Sequence, residues 1–124
     1  MTQNITENQA TQLIASLYQA VDRLDAKSVG QFLTRNARFQ LGNHGAISGK
    51  EQIINANAAF FQSINTMRHT ILNIWQQNNN IICAGKVHYT RHDSSTLEIP
   101  FSGIFKLESG LINDYQIYVD ISPL

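Results

Sequence analysis

The chain has 124 residues, and its nine basic and nine acidic side chains give a formal net charge of zero. This length is enough for one domain with a real hydrophobic core. The balanced charge argues against nucleic acid as the main partner, because phosphate binding needs concentrated lysine and arginine.

Cysteine content and the N-terminal sequence favour a cytoplasmic protein. The single cysteine, Cys83, excludes an internal disulfide and is typical of a reducing compartment. The polar start, MTQNITENQ, lacks the apolar core of a secretory signal. No apolar run approaches the roughly 20 residues that span a bilayer. We therefore expect one soluble, cytoplasmic domain over residues 1–124, with no membrane partner.

The chain begins with a pattern that predicts two helices. Thr6 and Gln9 suit a capping box, and an amphipathic helix is expected to run from there to about Leu24. Asp25 is expected to cap a short second helix. The apolar side chains that would point inward from the two helices are Leu13, Ile14, Leu17, Tyr18, Ala20, Val21, Leu24, Val29, Phe32 and Leu33.

A short strand and a third helix are predicted next. The strand covers residues 37–41 (ARFQL) and ends in a glycine-rich loop, GNHGAISG. Ser48 and Glu51 suit a second capping box, so a third helix is expected to run to about Ile64. The loop lacks the spacing of a phosphate-binding loop, and its glycines suit a turn.

The second half of the chain, residues 68–120, predicts four antiparallel strands. Apolar and polar residues alternate there, and Asn, Ser, Gly and Asp clusters interrupt them at intervals of about a dozen residues. The first half must cover the apolar face of this sheet. The predicted fold class is therefore α+β, in the order α-α-β-α-β-β-β-β, with helices on one side of a bent antiparallel sheet. The inward-facing residues expected in the third strand are Leu97, Ile99, Phe101, Gly103, Phe105 and Leu107. Those expected in the fourth strand are Leu111, Tyr115, Ile117, Val119 and Ile121.

The first two strands of this half are apolar on both faces. The pattern over 68–75 places Ile71 and Trp75 on one side, and Leu72 and Ile74 on the other. Helices can cover only one side of a sheet, so we expect a second copy of the chain to bury the outer side in a homodimer. The alternative is scattered surface hydrophobes, which are common. The next strand has the same pattern, because Cys83, Val87 and Tyr89 lie on one face and Ile82 and Ala84 lie on the other.

Four stretches carry a resemblance to a known superfamily: YQAVDRLDAKSVGQFL, SGKEQI, RHTILNIW and GLINDYQIYVD. The chain from about Thr6 to Asp120 resembles the nuclear-transport-factor-2-like superfamily, particularly its SnoaL-like branch. That resemblance implies a cone, in which a curved sheet wraps around a long helix and leaves an apolar pocket open at one end. Its members include ketosteroid isomerase, polyketide cyclases, limonene epoxide hydrolase, scytalone dehydratase and binding modules without chemistry.

The residues of ketosteroid isomerase are not matched in this sequence. Its mechanism needs a carboxylate base, together with a tyrosine and a protonated aspartic acid that hold an oxyanion. The resemblance aligns Leu17 with the tyrosine, with Tyr18 one residue away. Leu41 aligns with the base and Gly103 with the aspartic acid. A steroid-isomerase mechanism is therefore not expected.

The dehydratase-like branch is matched better. It uses a histidine that opens the strand after the third helix and an aspartate near the end of the first, and the resemblance places these on His69 and Asp22. A histidine titrates near neutrality, and a carboxylate beside it would fix its tautomer. Strand register predicts that Asn73 shares the face of His69 and could bind a ligand. His88 has the opposite parity from Val87 and is not matched to a second catalytic histidine.

Each candidate also has a purely structural interpretation. His69 could be a hydrogen-bonded structural histidine, and Asp22 could be solvated or paired with Arg23 or Arg38. No metal site is expected, because His88 and His92 stand roughly 13 Å apart on a strand at about 3.3 Å per residue.

The sequence predicts a protein that binds a mostly apolar small molecule in a cone-shaped pocket. It would carry out dehydration, isomerisation or cyclisation through His69 and Asp22, without a cofactor. The alternative is a non-catalytic ligand-binding or protein-interaction module of the same fold. Catalysis predicts that the two side chains converge within about 4–6 Å around a void. The expected ligand contacts are Leu17, Tyr18, Phe39, Leu41, Phe60, Ile71, Asn73, Val87, Tyr89, Phe101, Tyr115 and Ile117.

Overall fold

A computed structural model describes residues 4–124. Residues 1–3 lie outside the described residues. They begin the polar stretch from which we predicted that the chain has no secretory signal. The elements are the helices α1 (Glu7–Asp22), α2 (Ala26–Gly30) and α3 (Lys50–Gln62), and the strands β1 (Leu33–Leu41), β2 (Ile47–Ser48), β3 (Thr66–Gln77), β4 (Asn80–Thr90), β5 (Thr96–Glu108) and β6 (Leu111–Tyr118). No helix among the described residues is long and apolar enough to cross a membrane.

The capping box predicted for α1 is confirmed. The Gln9 amide donates to Thr6 Oγ1 at 3.1 Å, and the Thr6 amide donates back to Gln9 Oε1 at 2.9 Å. Asp25 caps α2 as expected, by accepting from the Ser28 amide at 3.1 Å. Both helix starts are local in sequence, which explains why the sequence predicts them.

The capping box predicted for α3 is wrong. Ser48 belongs to β2, where it pairs with Arg38 of β1, and is therefore not free to cap the helix. The residue at the N-cap is Gly49, which makes no side-chain cap. Its φ of 99° lies in the region that favours glycine, so the chain can turn sharply from strand to helix.

The sheet has six strands in the order β2-β1-β6-β5-β4-β3. The predicted fold class is confirmed, and β3 to β6 form the expected antiparallel meander. One pair differs: β1 lies parallel to β6, so the sheet is mixed rather than wholly antiparallel. The period of a strand shows which face is apolar but says nothing of the direction of a distant neighbour, which explains the difference.

The core lies between the three helices and one face of the sheet. Ile14 and Leu17 of α1, Ile53 of α3 and Phe105 of β5 are fully buried there. Leu33 is also fully buried, but as the first residue of β1 rather than as part of the second helix.

One irregularity corrects the predicted inward set of β6. The register shifts between Lys106 and Leu107, so that Leu107 pairs with Ile112. Ile112 is fully buried, whereas Leu111 is 39% exposed. An extra residue in one strand reverses the inward and outward positions beyond it, so an alternation read from Tyr115 cannot extend to Leu111.

A second irregularity in β3 decides what surrounds His69. Ile71 pairs with Gly85, but Asn73 pairs with Ala84, so Leu72 is an extra residue. Asn73 is therefore exposed on the outer face. The prediction that Asn73 shares the face of His69 is wrong.

The same bulge exchanges the positions of Ile74 and Trp75. Ile74 pairs with Cys83 and packs against the core, while Trp75 pairs with Ile82. The prediction that Trp75 and Ile71 lie on the same side of the strand is therefore also wrong. Trp75 is 53% exposed on the outer face.

Gly85 permits this bulge. A Cβ at Gly85 would overlap the backbone oxygen of Thr70 on the neighbouring strand. We expect Gly85→Ala to lower the free energy of unfolding by about 1–3 kcal/mol, because the two strands must separate to admit the methyl group. Urea denaturation measures the change.

Gly45→Ala is the matched control, because a Cβ there has no atom within 4 Å. Gly45→Ala should leave the unfolding midpoint nearly unchanged. Equal midpoints for the two variants would show that Gly85 is not needed for close strand approach.

Candidate functional site

His69 and Asp22 are in direct contact. Asp22 is the last residue of α1 and His69 lies near the start of β3, and the Nδ1 of His69 is 2.6 Å from Oδ1 of Asp22. The His69 backbone amide donates to the other carboxylate oxygen at 3.0 Å. Both carboxylate oxygens are therefore engaged by one residue, which fixes the carboxyl group relative to the imidazole. Arg38, an alternative partner for Asp22, pairs instead with Asp114 at 3.3 Å.

This contact determines the tautomer of a neutral His69. An ionised carboxylate can only accept a hydrogen bond, so the ring nitrogen facing it must carry the proton. The Nε2 atom is then the acceptor. Within residues 4–124, Nε2 makes no hydrogen bond. Every fully buried side-chain nitrogen or oxygen in this range has a hydrogen-bond partner, so Nε2 is not fully buried. Nε2 is therefore open to the space around it.

Aromatic rings hold the imidazole from two sides. The ring centroid of Tyr18 lies 4.4 Å from that of His69, and Phe101 meets the imidazole edge-on at 5.0 Å. The side chain of His69 is only 8% exposed, and that of Asp22 is 26% exposed. Water is thus largely excluded from the imidazole, while the carboxylate keeps some access to solvent.

A small cavity of about 40 Å³ adjoins His69. A water molecule needs roughly 10–15 Å³ of such space, and drug-sized ligands occupy pockets of about 300–1,000 Å³. Aromatic side chains thus fill most of the interior of the cone. The predicted residues in the cavity wall are Tyr18, Phe39, Leu41, Phe60, Val87, Tyr89, Phe101, Tyr115 and Ile117.

Three predicted ligand contacts do not line this cavity. Leu17 is fully buried in the core beside the cavity, and Tyr18 takes the position in the wall. Ile71 packs against the core but lies outside the wall. Asn73 faces outward because of the bulge. The roles of His69, Asp22 and the wall residues in binding or catalysis stay predictions.

The wall also contains residues that the sequence analysis missed. The most informative is Asn57 of α3, which is only 9% exposed. Its position four residues after the buried Ile53 was a signal that it lies on the inward face of the helix. The other missed residues are Val21, Phe61, Met67 and Val119.

A second cavity of about 140 Å³ adjoins the first. It is lined by residues of the β1–α3 connection, among them His44 and Ile47, together with Ile121. Four side chains border both cavities, and we call this shared boundary the neck: Phe39, Leu41, Asn57 and Phe60. We call the cavity at His69 the inner cavity and the other the outer cavity.

Two tyrosines and the cysteine form a buried polar cluster beside the inner cavity. The Tyr115 hydroxyl donates to the Tyr18 hydroxyl at 3.1 Å, and the buried thiol of Cys83 lies near the Tyr18 hydroxyl. Burial raises the pKa of both tyrosines and raises the pKa of Cys83 to about 11. All three groups are therefore protonated at neutral pH and can donate hydrogen bonds.

The remaining histidines lie elsewhere. His88 pairs with Arg68 and Glu98 across the sheet. His92 contacts the backbone oxygen of Gln62 at 2.7 Å. Within residues 4–124, no group of three or more His, Cys, Asp or Glu side chains could hold a metal ion.

The comparisons with known proteins agree with this architecture. The SnoaL-like domain family matches residues 14–115, so the chain belongs to that family, and its fold is that of nuclear-transport-factor-2-like proteins. No curated protein matches the chain.

Solved structures of the same fold share little sequence with the chain. A protein from Jannaschia sp. CCS1 assigned to the SnoaL-like polyketide cyclases is 15% identical, with a TM-score of 0.81 over 97% of this chain and 92% of that one. A ketosteroid-isomerase-like protein from Catenulispora acidiphila DSM 44928, in complex with trimethylamine, is 13% identical, with a TM-score of 0.81 over 89% and 86%. An LEH-like epoxide hydrolase from M. tuberculosis is 14% identical, with a TM-score of 0.78 over 92% and 84%. These likenesses establish the shared fold.

The raised pKa of Cys83 predicts slow alkylation. Burial shifts the thiol pKa from 9.0 to about 11, so the native thiolate fraction near pH 8 is about 100-fold lower than in the unfolded chain. We expect iodoacetamide to react with native Cys83 at least about 100-fold more slowly than with the chain in urea. Mass spectrometry measures both rates, and equal rates would contradict the buried placement.

The same shift predicts a loss of stability in alkali. The unfolded thiol releases its proton first, so the free energy of unfolding should fall as the pH rises from 9.0 towards about 11. Cys83→Ala should flatten this part of the profile.

Proposed function

We propose that this protein binds a small, mostly apolar molecule beside His69 and exchanges a proton with it through the imidazole. The observation that carries the proposal is the 2.6 Å contact between Nδ1 of His69 and Asp22, next to an aromatic cavity. A partly buried carboxylate–histidine pair beside a cavity suits general acid–base catalysis, because the carboxylate orients the imidazole and leaves Nε2 free to exchange a proton.

Each partner has a distinct role in the proposed chemistry. Asp22 holds the proton on Nδ1, so a neutral His69 presents the lone pair of Nε2 to the ligand. When Nε2 takes a proton, Asp22 stabilises the imidazolium that forms. The proton then returns to another atom of the ligand or to solvent. Dehydration, isomerisation and cyclisation all follow this scheme without a cofactor.

The cavity wall argues against a steroid-isomerase mechanism. Leu41 is in the wall where a carboxylate base would be needed, and Gly103 has no side chain to donate a hydrogen bond. A ligand in this cavity therefore meets one titratable pair rather than the isomerase set. The small volume, about 40 Å³ in the inner cavity, also favours a ligand much smaller than a steroid.

The related structures support a small-molecule role. Proteins of the same fold are named as a polyketide cyclase and an epoxide hydrolase, and one was solved in complex with trimethylamine. Each of these names concerns a small organic molecule, and we extend that general class to this chain.

A non-catalytic binding module is the second candidate function. The small inner cavity favours it, because an interior filled by aromatic side chains leaves little room for a substrate to move. In that case the His69–Asp22 pair would join α1 to β3 and stabilise the fold. The two functions differ in whether a ligand proton exchanges.

Deuterium incorporation tests the proposed catalysis directly. Short ketones and hydroxyketones are incubated with the protein in D₂O, and NMR follows the replacement of the C–H beside the carbonyl by C–D. We expect the wild type to accelerate exchange of at least one compound, and His69→Gln to lower that rate by about 100-fold or more. Asp22→Asn should also lower it, because the proton on Nδ1 is no longer held by a carboxylate.

His88→Gln is the matched control, since His88 lies on the outer side of β4, away from the cavity. It should leave the rate unchanged. If the wild type binds ligands but exchanges none of them faster than buffer does, the non-catalytic function is correct.

We further propose that the outer face of the sheet joins two copies of the chain. Leu72, Trp75 and Tyr118 are each more than half exposed there, at 60%, 53% and 55%. Trp75, Ile82 and Ile104 form one row across three strands. Monomeric proteins rarely leave such a contiguous apolar surface uncovered.

The charges around this surface suit contact with an identical face. His88 lies between Arg68 and Glu98 at one end of the sheet. Arg38, Asp114 and Lys106 lie towards the other end. Because both signs occur at both ends, a two-fold arrangement can bring opposite charges together.

Sedimentation velocity measures the assembly. We expect the wild type to sediment as a dimer and Trp75→Glu to sediment as a monomer, because a carboxylate in the apolar row would be buried without a partner. Asn55→Glu makes the same change in charge on the exposed side of α3 and should stay dimeric. A monomeric wild type would disprove the proposed interface.

A further inference from the structure

Two buried polar side chains of the inner cavity have no part in the chemistry proposed for His69. They are Asn57 of α3, which is 9% exposed, and Tyr89 of β4, which is 3% exposed. Both lie in the wall that also contains His69. No fully buried side-chain nitrogen or oxygen within residues 4–124 lacks a hydrogen-bond partner, so any polar atom of these two side chains that makes no hydrogen bond must border open space.

The amide of Asn57 has only one chemically sensible orientation. One amide atom of this side chain is 3.0 Å from the backbone oxygen of Ile53. A carbonyl oxygen can only accept a hydrogen bond, so the atom facing it must be the nitrogen. The oxygen Oδ1 then points away from the helix backbone. Within residues 4–124 this side chain makes no other hydrogen bond. Every fully buried oxygen in this range has a partner, so Oδ1 is not fully buried. Because Asn57 lines the cavities, Oδ1 faces the cavity space.

The hydroxyl of Tyr89 is the complementary group. It makes no hydrogen bond within residues 4–124, and since no fully buried oxygen there lacks a partner, the hydroxyl borders open space although the residue is only 3% exposed. Burial raises the pKa of Tyr89 to about 12, so the hydroxyl keeps its proton and can donate it. Phe60 packs edge-on against the Tyr89 ring at 6.3 Å. Since Phe60 is three residues from Asn57, Tyr89 lies beside the same face of α3 as Asn57.

We propose that Asn57 and Tyr89 bind a hydroxyl group of the ligand, and that the ligand is a small neutral alcohol. Tyr89 donates to the ligand oxygen, and Oδ1 of Asn57 accepts the ligand's hydroxyl proton. This inference rests on the proposed function, because it assumes that the ligand enters the cavity beside His69. It adds a chemical class and two residues that determine specificity.

The donor–acceptor pair discriminates against other functional groups. A ketone or an ether can accept from Tyr89 but leaves Oδ1 of Asn57 without a donor, and an unpaired buried polar group costs about 1–3 kcal/mol. An ammonium ion would lose its hydration without meeting a carboxylate at this end of the cavity. A carboxylate would place its charge against Oδ1. A hydroxyl satisfies both groups.

The two cavities limit the size of the alcohol. Asn57 lies at the neck, so a ligand held there can extend its apolar part into the outer cavity of about 140 Å³. Its other end reaches into the inner cavity of about 40 Å³ towards His69. At roughly 10–15 Å³ for each water-sized position, the combined space holds about a dozen non-hydrogen atoms.

Three matched probes test the inference: cyclohexanol, cyclohexanone and methoxycyclohexane. NMR titration of the ¹⁵N-labelled protein gives a Kd for each. We expect cyclohexanol to bind the wild type about tenfold more tightly than the other two, because only it satisfies both polar groups. Tyr89→Phe and Asn57→Leu should each reduce this preference to about threefold or less. Asn55→Leu, the same kind of change on the exposed side of α3, should preserve it.

Each result decides the matter. Equal affinities in the wild type, a preference kept by both variants, or no binding of any probe would overturn the inference. If Asn57→Leu does not fold, Tyr89→Phe alone decides, because it removes only an oxygen. Proton exchange through His69 without any preference for alcohols would disprove the inference and leave the proposed catalysis standing. A preference for alcohols without proton exchange would disprove the catalysis and leave this site standing.

Discussion

The contact between Asp22 and His69 is the interaction on which the site depends. It joins the end of α1 to β3 through both carboxylate oxygens, at 2.6 Å and 3.0 Å. Removing either partner would leave the other partly buried without its hydrogen bonds, which is costly in an apolar interior. The same contact fixes the imidazole in one tautomer and turns Nε2 away from the carboxylate. The pair therefore has a structural role, and the chemical role that we propose would use the same contact.

Aromatic packing decides how much space the site keeps. Tyr18 and Phe101 hold the imidazole, and Phe60 packs against Tyr89 at the neck. Large rings fill the cone well, because their burial contributes strongly to stability. The consequence is an interior with two small adjoining voids instead of one large pocket. A chain of this family can thus keep the shared fold while aromatic side chains reduce the space inside it.

Much of the candidate site could be predicted because its signals are local or belong to the family. His69 and Asp22 were found from their places after α3 and at the end of α1. Several wall residues, such as Phe101 and Tyr115, follow from strand alternation. Asn57 could have been found from its spacing to Ile53, but a lone asparagine on a helix carries no chemical signal. Its importance appears only when both cavities meet at its side chain.

The sequence by itself determined the helix caps at Thr6 and Asp25, the order of the helices and of every described strand except the short β2, and the apolar faces of β4 and β5. Each of these depends on residues within a few positions of one another. Only the tertiary structure decided that β1 runs parallel to β6 and that Leu72 bulges out of β3. The bulge turns Asn73 away from His69, and it exists because Gly85 lets a neighbouring strand approach closely. Such a contact joins residues far apart in the chain, so no periodicity within one strand can reveal it.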